Sequence, residues 1–181
     1  ATVDEGLYGD PTEIALVVLA NRFNMHKKDL ENETPRIDEL PFDSVRKMMS
    51  TKHKLEDNKS IIYTKGALDS VLAHTTSILE NGVVREINKE DIASIYDVNA
   101  QFSAKALRVL ALAYTNGNII DEEELIFVGL VAMIDPARPE AKEAVAKCRT
   151  AGIKPVMITG DHKVTAVAIA KDIGILEEGD I

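Results

Sequence analysis

The chain has 181 residues, 45% of them hydrophobic, and carries a formal net charge of −9. This length suits one ordinary domain, or one small domain with part of another, and the acidic balance excludes the basic face of a nucleic-acid-binding protein. No apolar stretch approaches the roughly 20 residues of a membrane span. The single cysteine, Cys148, allows no internal disulfide and has no histidine at zinc-ligand spacing. Because the sequence opens without a methionine, we expect it to be a piece of a longer protein.

A helix and a pair of strands are predicted first. Asp10 is a plausible N-cap with Pro11 at the first helical position and Glu13 at the third, which is a capping-box-like start. Alternating apolar residues then predict two strands within residues 44–66, joined by a turn at residues 56–58.

More strands and helices follow as far as residue 134. A short helix is predicted after Gly66, and "SILENGVVREI" predicts a hairpin with Asn81-Gly82 as a type I′ turn. Asn88 is expected to cap a helix. "LRVLALAY" and "LIFVGLVAMI" are predicted strands, so this part of the chain is expected to be an α+β domain with an antiparallel sheet and flanking helices.

The pattern changes after residue 134. "DPARPEAKEAVAKCRTAG", "IKPVMITGD" and "HKVTAVAIAKDIG" predict a helix, a strand and a helix, an alternation typical of parallel sheets. We therefore divide the chain near Asp135-Pro136, into residues 1–134 and residues 135–181. The second part is too small to close a sheet alone and is expected to be a partial α/β segment.

Three polar residues end the strand predicted in that second part. Thr159, Gly160 and Asp161 offer a hydroxyl donor, close backbone approach and a hard oxygen ligand. Such groups suit a phosphate and its Mg²⁺, and ligands sit at the carboxyl ends of parallel strands. The three residues therefore predict part of a phosphate site.

Six motifs occur in a fixed order over nearly the whole chain: "GDPTE", "FDSVRKMMS", "YTKGA", "ALRVLALAY", "DPARPE" and "MITGD". In this combination the chain resembles the cytoplasmic catalytic loop of P-type cation-transporting ATPases, most closely the calcium-pump branch. The resemblance implies that residues 1–134 are a nucleotide-binding domain. It also implies that residues 135–181 are a partial phosphorylation domain with a haloacid-dehalogenase-like fold.

The resemblance assigns several residues to adenine. Phe42 would stack on the base, Lys65 would lie at the floor of the pocket, and Glu13 would accept a hydrogen bond from the adenine amino group. Gly66 beside Lys65 would permit close approach of the ligand. The alternatives are a core phenylalanine, a solvated strand lysine and a glutamate used only for helix capping.

The resemblance assigns other residues to the phosphates and the hinge. Lys47 and Arg108 would meet the phosphate tail, and Asp135 and Arg138 match the hinge motif, with Arg138 also reaching phosphate on closure. Residues 159–161 would be the supporting loop of the phosphorylation domain. The alternatives are a strand-face lysine and an exposed arginine.

Two positions depart from the family pattern. The hinge motif is usually Asp-Pro-Pro-Arg, and Ala137 replaces its third residue. Many calcium pumps carry an arginine two residues after the stacking phenylalanine, where this chain has Ser44. One phosphate or ribose contact is therefore not expected here.

The sequence lacks the nucleophile of the implied reaction. Neither Asp-Lys-Thr-Gly-Thr nor Gly-Asp-Gly-Val-Asn-Asp occurs in the 181 residues. The resemblance therefore implies a fragment that binds ATP, with Mg²⁺ in the intact pump, but is inactive alone. It implies the cytoplasmic domain of an integral membrane protein whose partners are the actuator, phosphorylation and membrane domains.

Two other functions remain open. A soluble haloacid-dehalogenase-like phosphatase would need an Asp-x-Asp nucleophile, which the sequence does not contain. A regulatory or interaction module would keep the fold without binding ATP. An exposed sheet edge could also favour self-association of the fragment.

Overall fold

The computed structural model describes residues 9–105, 107–134, 139–158 and 163–176. The chain divides into two compact units, Ala1–Ser94 with Val109–Val131, and Ile95–Arg108 with Ala132–Ile181. The proposed boundary at Asp135-Pro136 lies outside the described residues and stays a prediction.

The described residues form seven strands and six α-helices, with a short 3₁₀ turn at Glu56–Asn58. The helices are α1 (Pro11–Arg22), α2 (Lys27–Glu33), α3 (Leu68–Ala73), α4 (Lys89–Ser103), α5 (Pro139–Thr150) and α6 (Lys163–Asp172). The strands are β1 (Arg36–Asp43), β2 (Met48–Lys54), β3 (Ser60–Gly66), β4 (Thr75–Glu80), β5 (Val83–Glu86), β6 (Leu107–Asn116) and β7 (Leu125–Ile134).

The seven strands form one sheet in the order β1-β2-β3-β6-β7-β4-β5. Strands β1, β2, β3 and β6 pair in antiparallel fashion, as do β4 and β5. The predicted α+β architecture is confirmed, with one correction: β4 pairs parallel with β7. A parallel pair needs a long connection, and the chain between these two strands provides one through β5, α4 and β6.

Local signals placed two of the elements correctly. The Asp10 carboxylate accepts a hydrogen bond of 2.8 Å from the amide of Thr12 and caps α1, which begins at Pro11. Asn81 and Gly82 have φ values of 51° and 80°, and this pair of positive angles is what a type I′ turn between β4 and β5 requires.

The sheet has two unlike faces. On β2 and β3 the pairs Met48–Gly66 and Ser50–Thr64 are buried. Their face carries the core of the first unit, which includes Met48, Ile62, Leu68, Val71, Ala111 and Leu125. The intervening pairs, Met49–Lys65 and Thr51–Tyr63, point to the opposite face, because successive residues of a strand alternate. That opposite face is only partly covered.

An acidic side chain fixes the start of α4. The amide of Asn88 donates to Asp91 Oδ2 at 3.0 Å, and the amide of Asp91 donates to Asn88 Oδ1 at 2.8 Å, a reciprocal capping arrangement. Arg85 at the end of the hairpin donates to both Asp91 oxygens, at 2.6 and 2.8 Å, and to Glu80 at 2.9 Å. The cluster ties the β4–β5 hairpin to α4.

Asp91 is expected to make the stability of the chain fall in acid. Hydrogen bonds from Arg85, and then from the Asn88 amide, lower the pKa of Asp91 from 3.8 to about 2. Because the folded pKa is the lower one, the stabilisation is fully present above pH 3.8 and is lost as the pH falls towards about 2. In urea unfolding between pH 7 and pH 2, Asp91→Asn should be less stable at neutral pH and decline less in acid. The exposed Asp97→Asn is the control, and equal acid sensitivity of both variants would contradict the prediction.

The second unit contains α5 and α6, both of which were predicted. Val145, Ala170 and Ile173 are buried in this unit, and Arg149 donates to the carbonyl of Ile175 at 2.9 Å. The strand predicted over residues 153–161 is wrong for its described part, since residues 153–158 form no strand. No described strand pairs with this segment, and Ile158 is 95% exposed.

Candidate functional site

A cavity of about 380 Å³ lies on the partly covered face of the sheet. This volume falls within the range of roughly 300–1,000 Å³ that is typical of small-molecule sites. Apolar side chains make most of its wall, and three charged residues, Glu13, Arg36 and Lys65, also line it. The other lining residues include Met49, Tyr63, Leu112 and Val128. A flat, largely apolar ligand with polar edges fits this composition.

Two of the charged residues that line the cavity contact each other. Lys65 lies on β3, paired with Met49 of β2 and Leu112 of β6, so its side chain starts from the centre of the exposed face. Its ammonium group forms an ion pair with the Glu13 carboxylate in the first turn of α1. The side chains remain 22% and 38% exposed, respectively, so a ligand can reach both. Two residues that are distant in sequence thus meet at one site.

Gly66 has a structural role that differs from the one expected. A Cβ at this buried position would lie 2.5 Å from the carbonyl oxygen of Lys47 and 2.7 Å from Cγ of Met48. Separations this short do not occur in real structures, so β2 can approach β3 here only because residue 66 has no side chain. The group that approaches Gly66 closely is the backbone at the start of β2. This contact alone explains why residue 66 is a glycine.

Phe42 and Lys47 flank the β1–β2 turn. The Phe42 side chain is 64% exposed, so the alternative of a core phenylalanine is wrong. Lys47 is exposed with a φ of 56°, and its carbonyl accepts a hydrogen bond of 3.0 Å from Ala67, which follows Gly66. The turn is therefore anchored beside the end of β3, although neither Phe42 nor Lys47 lines the cavity.

Asp43 stabilises the same turn. Its carboxylate accepts hydrogen bonds from the amides of Val45 at 2.9 Å and Arg46 at 3.0 Å. These two bonds hold the pKa of Asp43 below its ordinary value. The carboxylate therefore stays charged and caps the turn at neutral pH.

The remaining predicted site residues are Arg108 and five residues that the structure does not describe. Arg108 is exposed on β6 and belongs to the second unit. The hinge residues Asp135 and Arg138 and the loop residues Thr159, Gly160 and Asp161 lie outside the described residues, so their assignments stay predictions.

Sequence reasoning missed two features near the site. A second cavity of about 380 Å³ is lined by residues of α1 and α2 and shares Glu13, Arg36, Thr51 and Tyr63 with the first. The second feature is the buried Glu122, whose ion pair with Arg46 has no signal in the sequence. Both features depend on chain segments that are far apart in sequence.

Two structural features are absent from the described ranges. No group of three or more histidine, cysteine, aspartate or glutamate side chains there is arranged to hold a metal ion. Within the same ranges, no helix has the length and apolar character needed to cross a bilayer.

Comparison with known families identifies the chain. The family model described as P-type ATPase, cytoplasmic domain N matches residues 2–140. The chain belongs to this family. The domain N assignment agrees with the resemblance derived from the six motifs and with the mixed open sheet and its flanking helices.

Several curated relatives contain a matching domain N. The calcium-transporting ATPase 1 of Bacillus cereus is 50% identical over 97% of the chain, and the calcium-transporting ATPase 1 of Lactococcus lactis is 44% identical over 97%. The sodium/potassium-transporting ATPase subunit alpha-4 of the rat is 34% identical over 95%. The chain spans about a fifth of the length of these relatives.

Proposed function

We propose that this chain is the ATP-binding domain of a cation-transporting P-type ATPase, with the adenine ring held in the cavity beside Lys65 and Glu13. The observation that carries the proposal is the Glu13–Lys65 ion pair at the edge of a largely apolar cavity. An adenine ring needs an apolar slot for its faces and a hydrogen-bond acceptor for its amino group. Met49 and Leu112 provide the first, and the Glu13 carboxylate provides the second.

Other side chains would complete the nucleotide site. The exposed ring of Phe42 has a free face for stacking on the base. Lys47, held in the turn beside Gly66, would act as a point charge for the phosphates, and Arg108 would add a second cation. The chain has a net charge of −9, so its overall electrostatic field repels ATP. Attraction of the phosphates therefore depends on the local placement of these cations.

The domain would act by positioning ATP rather than by chemistry of its own. In the intact pump the γ-phosphate would be presented to an aspartate outside these residues, and in-line phosphoryl transfer depends largely on positioning and charge neutralisation. Mg²⁺ would accompany the phosphates and neutralise their charge. Asp135 and Arg138 would form the hinge, and Thr159, Gly160 and Asp161 would support the acceptor site.

The proposed setting follows from the relatives. The full-length protein would be an ion-translocating ATP hydrolase, and this chain would be its cytoplasmic domain, working with actuator, phosphorylation and membrane domains. Identity is higher to relatives named calcium-transporting, at 41–50%, than to sodium/potassium-transporting ones, at 34–35%. We therefore place the pump nearer to the calcium-transporting group.

Calorimetric titration with ATP, with and without Mg²⁺, tests the proposal. Wild type should bind saturably, and Phe42→Ala should weaken binding about tenfold or more, since base stacking contributes roughly 1–3 kcal/mol. Phe23→Ala is the matched control, because Phe23 is also exposed, at 70%, but follows the last turn of α1.

Two results would contradict the proposal. Absence of ATP binding by folded wild type would favour an interaction module that has kept the fold only. Equal losses in Phe42→Ala and Phe23→Ala would show that the Phe42 ring is not the stacking residue.

A further inference from the structure

Glu122 is a buried acid in an otherwise exposed acidic segment. Residues 121–124 read Asp-Glu-Glu-Glu, yet Glu122 is only 4% exposed, whereas the other three are exposed. Its backbone adopts a φ of 57°, which is uncommon for a residue with a side chain. Of the four acidic residues, this one alone has its carboxylate turned inward.

The Glu122 carboxylate has a different partner on each oxygen. Oε1 accepts a hydrogen bond of 2.8 Å from the Ser50 hydroxyl, and Oε2 is ion-paired with the Arg46 guanidinium. Ser50 has one hydroxyl proton and gives it to Glu122, so Thr64, 2.8 Å away, donates to Ser50. The network therefore begins inside the β2–β3 pair.

The other end of the network reaches the turn that carries Phe42 and Lys47. Arg46 uses its second terminal nitrogen to donate to the carbonyl of Pro41 at 2.6 Å. Pro41 directly precedes Phe42, and Arg46 directly precedes Lys47. One guanidinium thus ties both ends of the turn to a carboxylate that is fixed in the core.

The free-energy cost of burying the Glu122 carboxylate indicates that its pairing with Arg46 and Ser50 is specific. A buried carboxylate is unfavourable unless it is fully paired, and removing one partner leaves an uncompensated charge. The planar guanidinium can serve two acceptors at once in a fixed geometry, which a lysine cannot do. Glu122 therefore determines the direction of Arg46, and Arg46 determines the shape of the turn.

We propose that Glu122 is a positioning residue of the nucleotide site, which acts through Arg46 to hold the Phe42 ring and the Lys47 ammonium in place. This inference rests on the proposed ATP-binding function. Glu122 does not touch the nucleotide. It sets the conformation of residues 41–47, so that stacking and phosphate contact need no reordering of the turn when ATP binds.

Two variants separate positioning from simple stability. Glu122→Gln removes the charge and turns an amide donor towards either Arg46 or Ser50. Arg46→Lys keeps a cation beside Glu122 but lacks the guanidinium fork that holds Pro41 through a second nitrogen, so the fold should persist while the turn loosens. Glu123→Gln is the matched control, because Glu123 is a neighbouring acid that is exposed and paired with His74.

The first readout needs no nucleotide. Amide hydrogen exchange should accelerate about tenfold or more at Lys47, whose amide donates to the Asp43 carbonyl at 2.7 Å, in both Glu122→Gln and Arg46→Lys. The β2–β3 amides of Thr51 and Tyr63 should keep wild-type protection in Arg46→Lys. Glu123→Gln should match wild type throughout.

The second readout is ATP affinity, measured by calorimetry. Arg46→Lys and Glu122→Gln should each bind ATP about tenfold more weakly than Glu123→Gln does. Wild-type exchange at Lys47 together with wild-type ATP affinity in Arg46→Lys would overturn the inference, even if Glu122→Gln failed to fold. Failure of wild type to bind ATP would instead overturn the proposed function, and Lys47 exchange would still decide whether Glu122 holds the turn.

Discussion

Reversing the charge of Lys65 is expected to lower ATP affinity about a hundredfold. A hydrogen bond to a charged group contributes roughly 1.5–3 kcal/mol, and this contribution would be lost. The new carboxylate would also repel the phosphates. In Lys65→Glu the ammonium at the edge of the cavity is lost and two carboxylates face each other across the former ion pair. The variant should therefore also be less stable than wild type. Calorimetry with ATP and urea unfolding measure the two effects separately.

The exchanged pair, Glu13→Lys with Lys65→Glu, separates the nucleotide role from the structural role. It restores an ion pair between α1 and β3 and leaves the net charge of the chain unchanged. We expect stability to return towards wild type and ATP binding to remain weak, because the acceptor for the adenine amino group is then a cation. Recovery of ATP affinity together with stability would mean that these residues serve the fold alone.

Gly66→Ala is expected to lower the free energy of unfolding by about 3 kcal/mol, at the upper end of the usual cost of overpacking. The added methyl would overlap the Lys47 carbonyl oxygen, which is backbone and cannot move without parting β2 from β3. Because the Lys47 carbonyl also accepts a hydrogen bond from the Ala67 amide, the turn beside the cavity should be disturbed as well. Urea unfolding measures the loss.

The matched control for this change is Gly129→Ala in β7. A Cβ there meets nothing within 4 Å, so its effect should stay within about 0.5 kcal/mol. Equal stability of Gly66→Ala and wild type would show that β2 can shift away at little cost. The steric account of Gly66 would then be wrong.

The sequence predicted the elements that are specified locally. The cap of α1 at Asp10 and the Asn81-Gly82 turn depend on neighbouring residues, and both formed as expected. The β6 and β7 strands were visible because long apolar runs in a sheet leave a clear pattern. These signals need no knowledge of distant contacts.

The elements that were missed lack such patterns. β1 is exposed along nearly its whole length and contains Pro41, so it shows no alternation of buried and exposed residues. α2 is seven residues long, has no side-chain cap and buries nothing. The parallel pairing of β4 with β7 is set by tertiary structure. The strand expected at residues 153–161 does not form in its described part, residues 153–158.

The sequence indicated which residues belong to the candidate site but not how they are arranged. Motif resemblance selected Glu13 and Lys65, and their ion pair brings them together at the cavity. The burial of Glu122 could not be foreseen, because an acidic residue in an acidic loop normally faces solvent. The steric role of Gly66 could not be foreseen either, since its neighbour is a strand whose register only the structure reveals.

The strand order has a consequence for how this domain is assembled on the ribosome. β6 and β7 leave last among the seven strands, yet they occupy the middle of the sheet, with Ile61 of β3 paired to Asn116 of β6. Strands β1–β3 on one side and β4–β5 on the other are synthesised earlier. Their edges stay unpaired until β6 and β7 have emerged. Such late, non-local closure slows folding and exposes unpaired edges to other chains, so this order favours chaperone contact during synthesis.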